Sequence, residues 1–134
     1  MASVRREIMT KARIDDVWSA IRDVGALHTR LVPGFVTDTK LNGAVRIVTF
    51  GNGMVVREPI VTVDDQEKRL VWSAEGGITK HYNASVQVSP NDDGSSKVVW
   101  IADFLPDSVA PAISSAIDTG MAVMKKTLDR LAPG

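Results

Sequence analysis

Apolar and polar residues alternate along most of this chain, and the alternation gives way to a helical period near each end. Residues 3–10 read as a strand with Val4 and Ile8 on one face. Asp15 and Asp16 then open a helix, where carboxylates suit the positive end of the dipole. Its stripe is Val17, Trp18, Ile21 and Val24, and Gly25 ends it. A short helical or irregular piece, Ala26 to Val32, closes at Pro33-Gly34. Five strands follow in series, at 35–41, 44–50, 54–63, 69–75 and 79–89. Another, 97–104, comes after the turn-forming run Pro90-Asn91-Asp92-Asp93-Gly94. The chain ends in a long helix from about Ser108 to Leu131. Val109, Ile113, Ile117, Met121, Met124, Leu128 and Leu131 recur there as one stripe.

Strands joined by short turns, without crossover helices, predict an antiparallel sheet in an α+β fold. About seven twisted strands curl, with two short helical pieces after the first. At ~1.5 Å per residue the last helix is roughly 36 Å long, enough to cross the sheet. One helix lying in a curved sheet does not fill it, so a hollow is expected between them.

The central hairpin carries the most informative pair. Gly51-Asn52-Gly53 sits between two apolar runs, a strong turn signal. A three-residue loop puts Phe50 opposite Met54 and Arg46 opposite Glu58; a two-residue loop makes the charges diagonal. Which face of this hairpin points inward is not decided by periodicity. One carries Ala44, Arg46, Val48, Phe50, Met54, Val56, Glu58 and Ile60; the other Val45, Ile47, Thr49, Val55, Arg57, Pro59 and Val61. Elsewhere parity is clearer. Tyr82, Ala84, Val86 and Val88 should face inward, with His81 outward, and Trp100 is placed inside. Trp18 is expected between the first helix and the sheet.

Composition narrows the function. The 134 residues hold 16 basic and 16 acidic side chains, so nucleic acid is not an expected partner. No Cys is present, which removes disulfide and thiolate chemistry. No signal-peptide core and no apolar run long enough to span a membrane are seen, and a cytoplasmic protein of one domain, 1–134, is expected. A phosphate loop, a dinucleotide fingerprint and a zinc-protease helix are all missing, so no cofactor is expected. Asp64-Asp65 and Asp92-Asp93 sit in turns without the further ligands of a metal site, so no metal is expected either.

Read together, these residues resemble the START-like helix-grip superfamily, in its polyketide cyclase/dehydratase-like branch (SRPBCC), which includes small bacterial proteins of the methanol-oxidation accessory type. The matching pieces are Val17-Trp18-Ser19-Ala20-Ile21, Gly43-Ala44-Val45-Arg46, Val56-Arg57-Glu58, Tyr82-Asn83-Ala84-Ser85 and Val98-Val99-Trp100, before a terminal amphipathic helix. They span nearly the whole chain, and their order is more specific than any one of them. Plant abscisic acid receptors share the Gly-x-x-Arg, later Glu, later Tyr arrangement, with those side chains in a polar network inside the ligand cavity. The resemblance therefore implies a single START-like ligand-binding domain with a helix-grip fold. It places Arg46, Glu58 and Tyr82 inward, and Val48, Phe50 and Val56 as apolar wall. Met124 and Ala84 stand where those receptors use polar residues, and their carboxylate-binding Lys has no equivalent, so a less polar pocket is implied. His28 and Arg30 fall in a segment that borders the cavity mouth in helix-grip proteins.

Three functional classes follow. The leading one is binding of a small hydrophobic or amphipathic molecule, with Arg46 and Glu58 orienting its polar end and Tyr82 adding a hydrogen bond. Trp100, Met121 and Met124 would complete the wall and floor, and His28 the mouth. The partner for the Tyr82 hydroxyl stays open among Glu58, Arg46, ligand and water. The second class is a cyclase or dehydratase acting on a hydrophobic carbonyl compound, with Glu58 as base and its catalytic residues otherwise unknown. The third is an interaction protein whose hollow is closed. Whether the chain forms a homodimer is left open.

Overall fold

The computed structural model describes residues 1–133. Seven strands form one antiparallel sheet: β1 (Ala2–Thr10), β2 (Val36–Asn42), β3 (Val45–Phe50), β4 (Val55–Asp64), β5 (Arg69–Ser73), β6 (His81–Pro90) and β7 (Ser96–Leu105). Their order is β1-β7-β6-β5-β4-β3-β2, so the chain's first two strands form the two edges. Two elements are regular α-helices, α1 (Ile14–Arg22) and α2 (Ala110–Asp129). Between α1 and β2 the second short helical piece, as expected, is a 3-10 turn, Val24–Ala26, followed by a single π turn, Leu27–Leu31.

The β3–β4 hairpin has the three-residue loop. Phe50 N–H donates to Met54 O at 2.8 Å, and Arg46 pairs with Glu58. Gly51 is required there by close approach rather than by its dihedral angle. A Cβ on Gly51 would lie 2.6 Å from Gly34 O, because its N–H donates to Phe35 O across the mouth of β2. β4 departs from simple alternation at one point. Ile60 faces Trp72 while Thr62 faces Val71, so Val61 is an extra residue that bends the strand. Val61 itself is exposed, and beyond the bulge Val63 comes opposite the buried Leu70 while staying partly open to solvent.

Inward parity holds along β6 and β7: Ala84, Val86, Val88, Val98, Trp100, Ala102 and Phe104 are all buried. The stripe of α2 joins them through Ile117, Met121, Met124 and Leu128. Leu131, expected to continue it, lies past the helix end and is exposed.

The position of α2 explains why the interior is not filled. Its solvent-side polar residues tie it to the β1 edge. Arg6 Nε donates to Asp118 at 2.7 Å, Thr10 Oγ1 to Asp129 at 2.7 Å, and Lys125 Nζ to Met9 O at 2.6 Å. A helix anchored at one edge covers that half of a curved sheet closely and stands away from the other half. At the opposite end α1 is pinned by the β4–β5 turn. Trp18 Nε1 and Arg22 Nε both donate to Asp65 Oδ1, at 2.9 and 2.8 Å. Trp18 is thus core, as expected, with a polar tether that parity alone did not reveal. No helix among the described residues is long and apolar enough to cross a membrane.

Candidate ligand cavity

The space between α2 and the far half of the sheet is a cavity of about 930 Å³. Its deep wall comes from Arg46 of β3, Val56 and Glu58 of β4, Leu70 and Trp72 of β5, Tyr82 and Val86 of β6, Trp100 of β7, and Ile117 and Met124 of α2. Its mouth is ringed by Pro33–Phe35, by Gly51, Asn52 and Met54, by Gly76–Thr79, and by the exposed early face of α2 at Ala112 and Ala116. Phe35 and Phe50 meet edge-on there, with ring centroids 5.5 Å apart. Gly120 lets Phe35 settle between helix and sheet, since a Cβ on it would come within 3.1 Å of the Phe35 ring and 3.2 Å of Trp100.

Arg46 and Glu58 lie opposite each other on neighbouring strands, and both are buried, with side chains 3% and 8% exposed. Arg46 Nε donates to Glu58 Oε1 at 2.9 Å, and Nη2 lies 2.7 Å from the same oxygen. Nη1 reaches Val24 O at 3.5 Å, and the guanidinium carbon sits 5.5 Å from the centroid of Trp72. Every guanidinium nitrogen therefore has an acceptor, and one ring face adds a cation–π contact. Glu58 Oε2 has no side-chain partner at hydrogen-bond geometry among the described residues. Burial pushes the Glu58 carboxyl above its ordinary value, against the pull of Arg46 and, more weakly, of the Trp72 indole.

Tyr82 stacks near Phe104, with centroids 6.4 Å apart. Burial and the nearby Glu58 charge push its phenol well above the usual range, so it stays a neutral O–H. The Trp100 indole, whose N–H has no acceptor among the described residues, opposes that rise. Trp72 and Trp100 pack against each other at 5.8 Å between centroids. Together these side chains make a polar cluster on an otherwise apolar wall.

Of the residues singled out from sequence, Arg46, Glu58, Tyr82, Phe50, Val56, Trp100 and Met124 share this wall. Val48 and Met121 do not line it; both are buried in the packed core. His28 is not on the wall either, because the π turn directs Leu27 and Leu31 to the cavity instead. Arg30 turns away to Asp23 and Ser19, with its Nη1 3.1 Å from Asp23 Oδ2. The mouth is carried by the following segment, Pro33–Phe35. Trp72 was not singled out, although Leu70, Trp72 and Ala74 share a parity that would have placed it beside Arg46. Among the described residues no group of three His, Cys, Asp or Glu gathers to hold a metal.

The sequence profile of the family described as polyketide cyclase/dehydrase and lipid transport matches residues 1–133. No curated protein sequence matches the chain. Among solved structures, a protein from Thermobifida fusca is similar at 29% identity and TM-score 0.80, with 98% of this chain and 95% of that one covered. A START superfamily protein from Mycobacterium smegmatis aligns at 10% identity and TM-score 0.75, covering 96% and 94%. Norcoclaurine synthase from Thalictrum flavum aligns at 21% identity and TM-score 0.75, covering 97% and 85%. At 10% and 21% identity, the last two establish likeness of fold.

Two outcomes are expected of the buried pair. Glu58→Leu strands the buried Arg46 charge without its counter-ion and should lower unfolding free energy by about 3–5 kcal/mol, whereas Glu58→Gln keeps an acceptor oxygen and should cost clearly less. Urea titration distinguishes them, and equal costs would show that the acceptor oxygen is unimportant. The second outcome concerns pH. A carboxyl raised on folding binds its proton more tightly in the folded state, so stability falls as pH rises through the window from 4.5 up to the folded value. Relative to Glu58→Gln, wild-type stability should therefore decline as pH rises above 4.5, and a relative increase would reverse the assigned direction.

Proposed function

The chain belongs to the polyketide cyclase/dehydrase and lipid transport family, and on that premise we propose that it binds a small hydrophobic or amphipathic molecule in the cavity between the sheet and α2. One observation carries this reading: a cavity of about 930 Å³ whose deep wall is apolar except for the Arg46–Glu58 pair, Tyr82 and the indole N–H groups of Trp72 and Trp100. Small-molecule pockets typically run ~300–1,000 Å³ with a few convergent polar groups, and this one lies within that range. A buried ion pair is weak stability engineering, since apolar side chains of similar volume often do as well or better. Its position on the wall supports a ligand-orienting role. The aromatic ring of Phe35 and Phe50 at the mouth would shelter the apolar part of the ligand.

A second reading is favoured by the raised Glu58 carboxyl. A carboxylate pushed toward neutrality is a better general base than an ordinary one, which suits proton removal beside the carbonyl of a cyclase or dehydratase substrate. With a candidate hydrophobic carbonyl compound turned over, Glu58→Gln should abolish the ascending limb of the pH–rate profile; unchanged turnover would remove Glu58 from the chemistry.

The binding reading is tested with Nile red, a neutral dye that brightens in apolar surroundings. Wild type should show saturable fluorescence enhancement. Ala116→Trp, which places a large ring at the exposed mouth, should weaken it at least tenfold while leaving the circular dichroism spectrum unchanged. Enhancement that never saturates, or that Ala116→Trp does not touch, would count against this cavity as the binding site.

A further inference from the structure

The charge accounting of the wall says what kind of polar end a ligand can have. Arg46 and Glu58 are the only charged residues lining the cavity among the described residues, and they face each other. Arg46 is already neutralised by Glu58 through two contacts, its Nη1 reaches Val24 O, and the Trp72 ring covers one guanidinium face. A ligand carboxylate would find no unpaired cation on the deep wall, and it would approach the Glu58 carboxyl that already pairs with Arg46. Burying such an unpaired charge is heavily penalised.

What the deep wall does offer is a free acceptor beside free donors. Glu58 Oε2 is left over because both guanidinium contacts end on Oε1. Tyr82 supplies a hydroxyl, and the Trp100 indole N–H on the same wall has no acceptor of its own among the described residues. A hydroxyl group both donates and accepts through a single oxygen, so it can satisfy the two protein groups at once.

We propose that the cavity selects an uncharged ligand carrying a hydroxyl group, an alcohol or phenol on an apolar frame, over the corresponding carboxylate, with Glu58 Oε2 and the Tyr82 hydroxyl meeting the ligand oxygen. This rests on the cavity being a ligand site, and it adds the chemical class that the site takes. A fatty acid or other free acid is then a poor ligand, and a neutral alcohol of the same size a good one.

Three probes on one frame test it: 2-naphthalenemethanol, 2-methylnaphthalene and 2-naphthoate, each titrated calorimetrically into the full chain at neutral pH. The alcohol should bind about tenfold tighter than the hydrocarbon, in line with hydrogen bonds made inside an apolar site, and the carboxylate weaker than both. Tyr82→Phe should erase most of the alcohol's advantage while leaving the hydrocarbon's affinity unchanged, a split that a merely structural role would not produce. Naphthoate binding as tightly as the alcohol overturns the proposal and leaves the cavity as a ligand site. Equal binding of alcohol and hydrocarbon overturns it in the same way. Failure of all three probes to bind, with Nile red also unbound, overturns both readings together.

Discussion

Everything in this molecule that bears on function depends on two opposite charges held on adjacent strands and turned away from water. Arg46 and Glu58 sit in register because a three-residue turn, Gly51-Asn52-Gly53, leaves no other pairing for β3 and β4. The turn in turn needs Gly51, where any side chain would strike the Gly34 carbonyl. The same local geometry that sets the register therefore ties the hairpin tip to the Pro33–Phe35 segment at the cavity mouth. Register, mouth and polar cluster are consequences of one tight corner.

The second constraint is where the long helix is anchored. Arg6, Thr10 and the Met9 carbonyl hold α2 to β1, an edge strand. The sheet curves away from that edge, and the side chains of β3, β4 and β5 cannot follow. Their inward faces meet a hollow instead of a helix, so the charged pair is desolvated by apolar neighbours without being sealed by them. Glu58 is raised by that burial, and the proximity of Arg46 only partly offsets it. The cavity is thus a by-product of helix placement, and its chemistry a by-product of hairpin register.

Much of this was legible in the residues. The alternation in 79–89 and 97–104 placed Tyr82 and Trp100 inward, and the spacing of Ile117, Met124 and Leu128 marked the buried side of α2. The central hairpin was different. Both its faces are apolar enough to be core, so period-2 reasoning stalled, and likeness to a known family was needed to turn Arg46 and Glu58 inward. Burial of both now agrees with that choice. What the pattern could not convey was depth. Val48 and Met121 are buried as expected, yet they belong to the packed core and do not line the cavity. His28 illustrates a second limit, because a π turn redirects side chains in a way that no sequence period announces. The bulge at Val61 is a third, since one extra residue reverses the faces beyond it.

Whether this charged pair borders open apolar space can be measured without knowing any ligand. Crystals of the protein pressurised with xenon should show anomalous peaks inside the chamber bounded by Trp72, Trp100 and Ile117, with the guanidinium still joined to the Glu58 carboxylate beside them. An interior that admits no xenon, or an Arg46 side chain turned out to bulk solvent, would contradict the account.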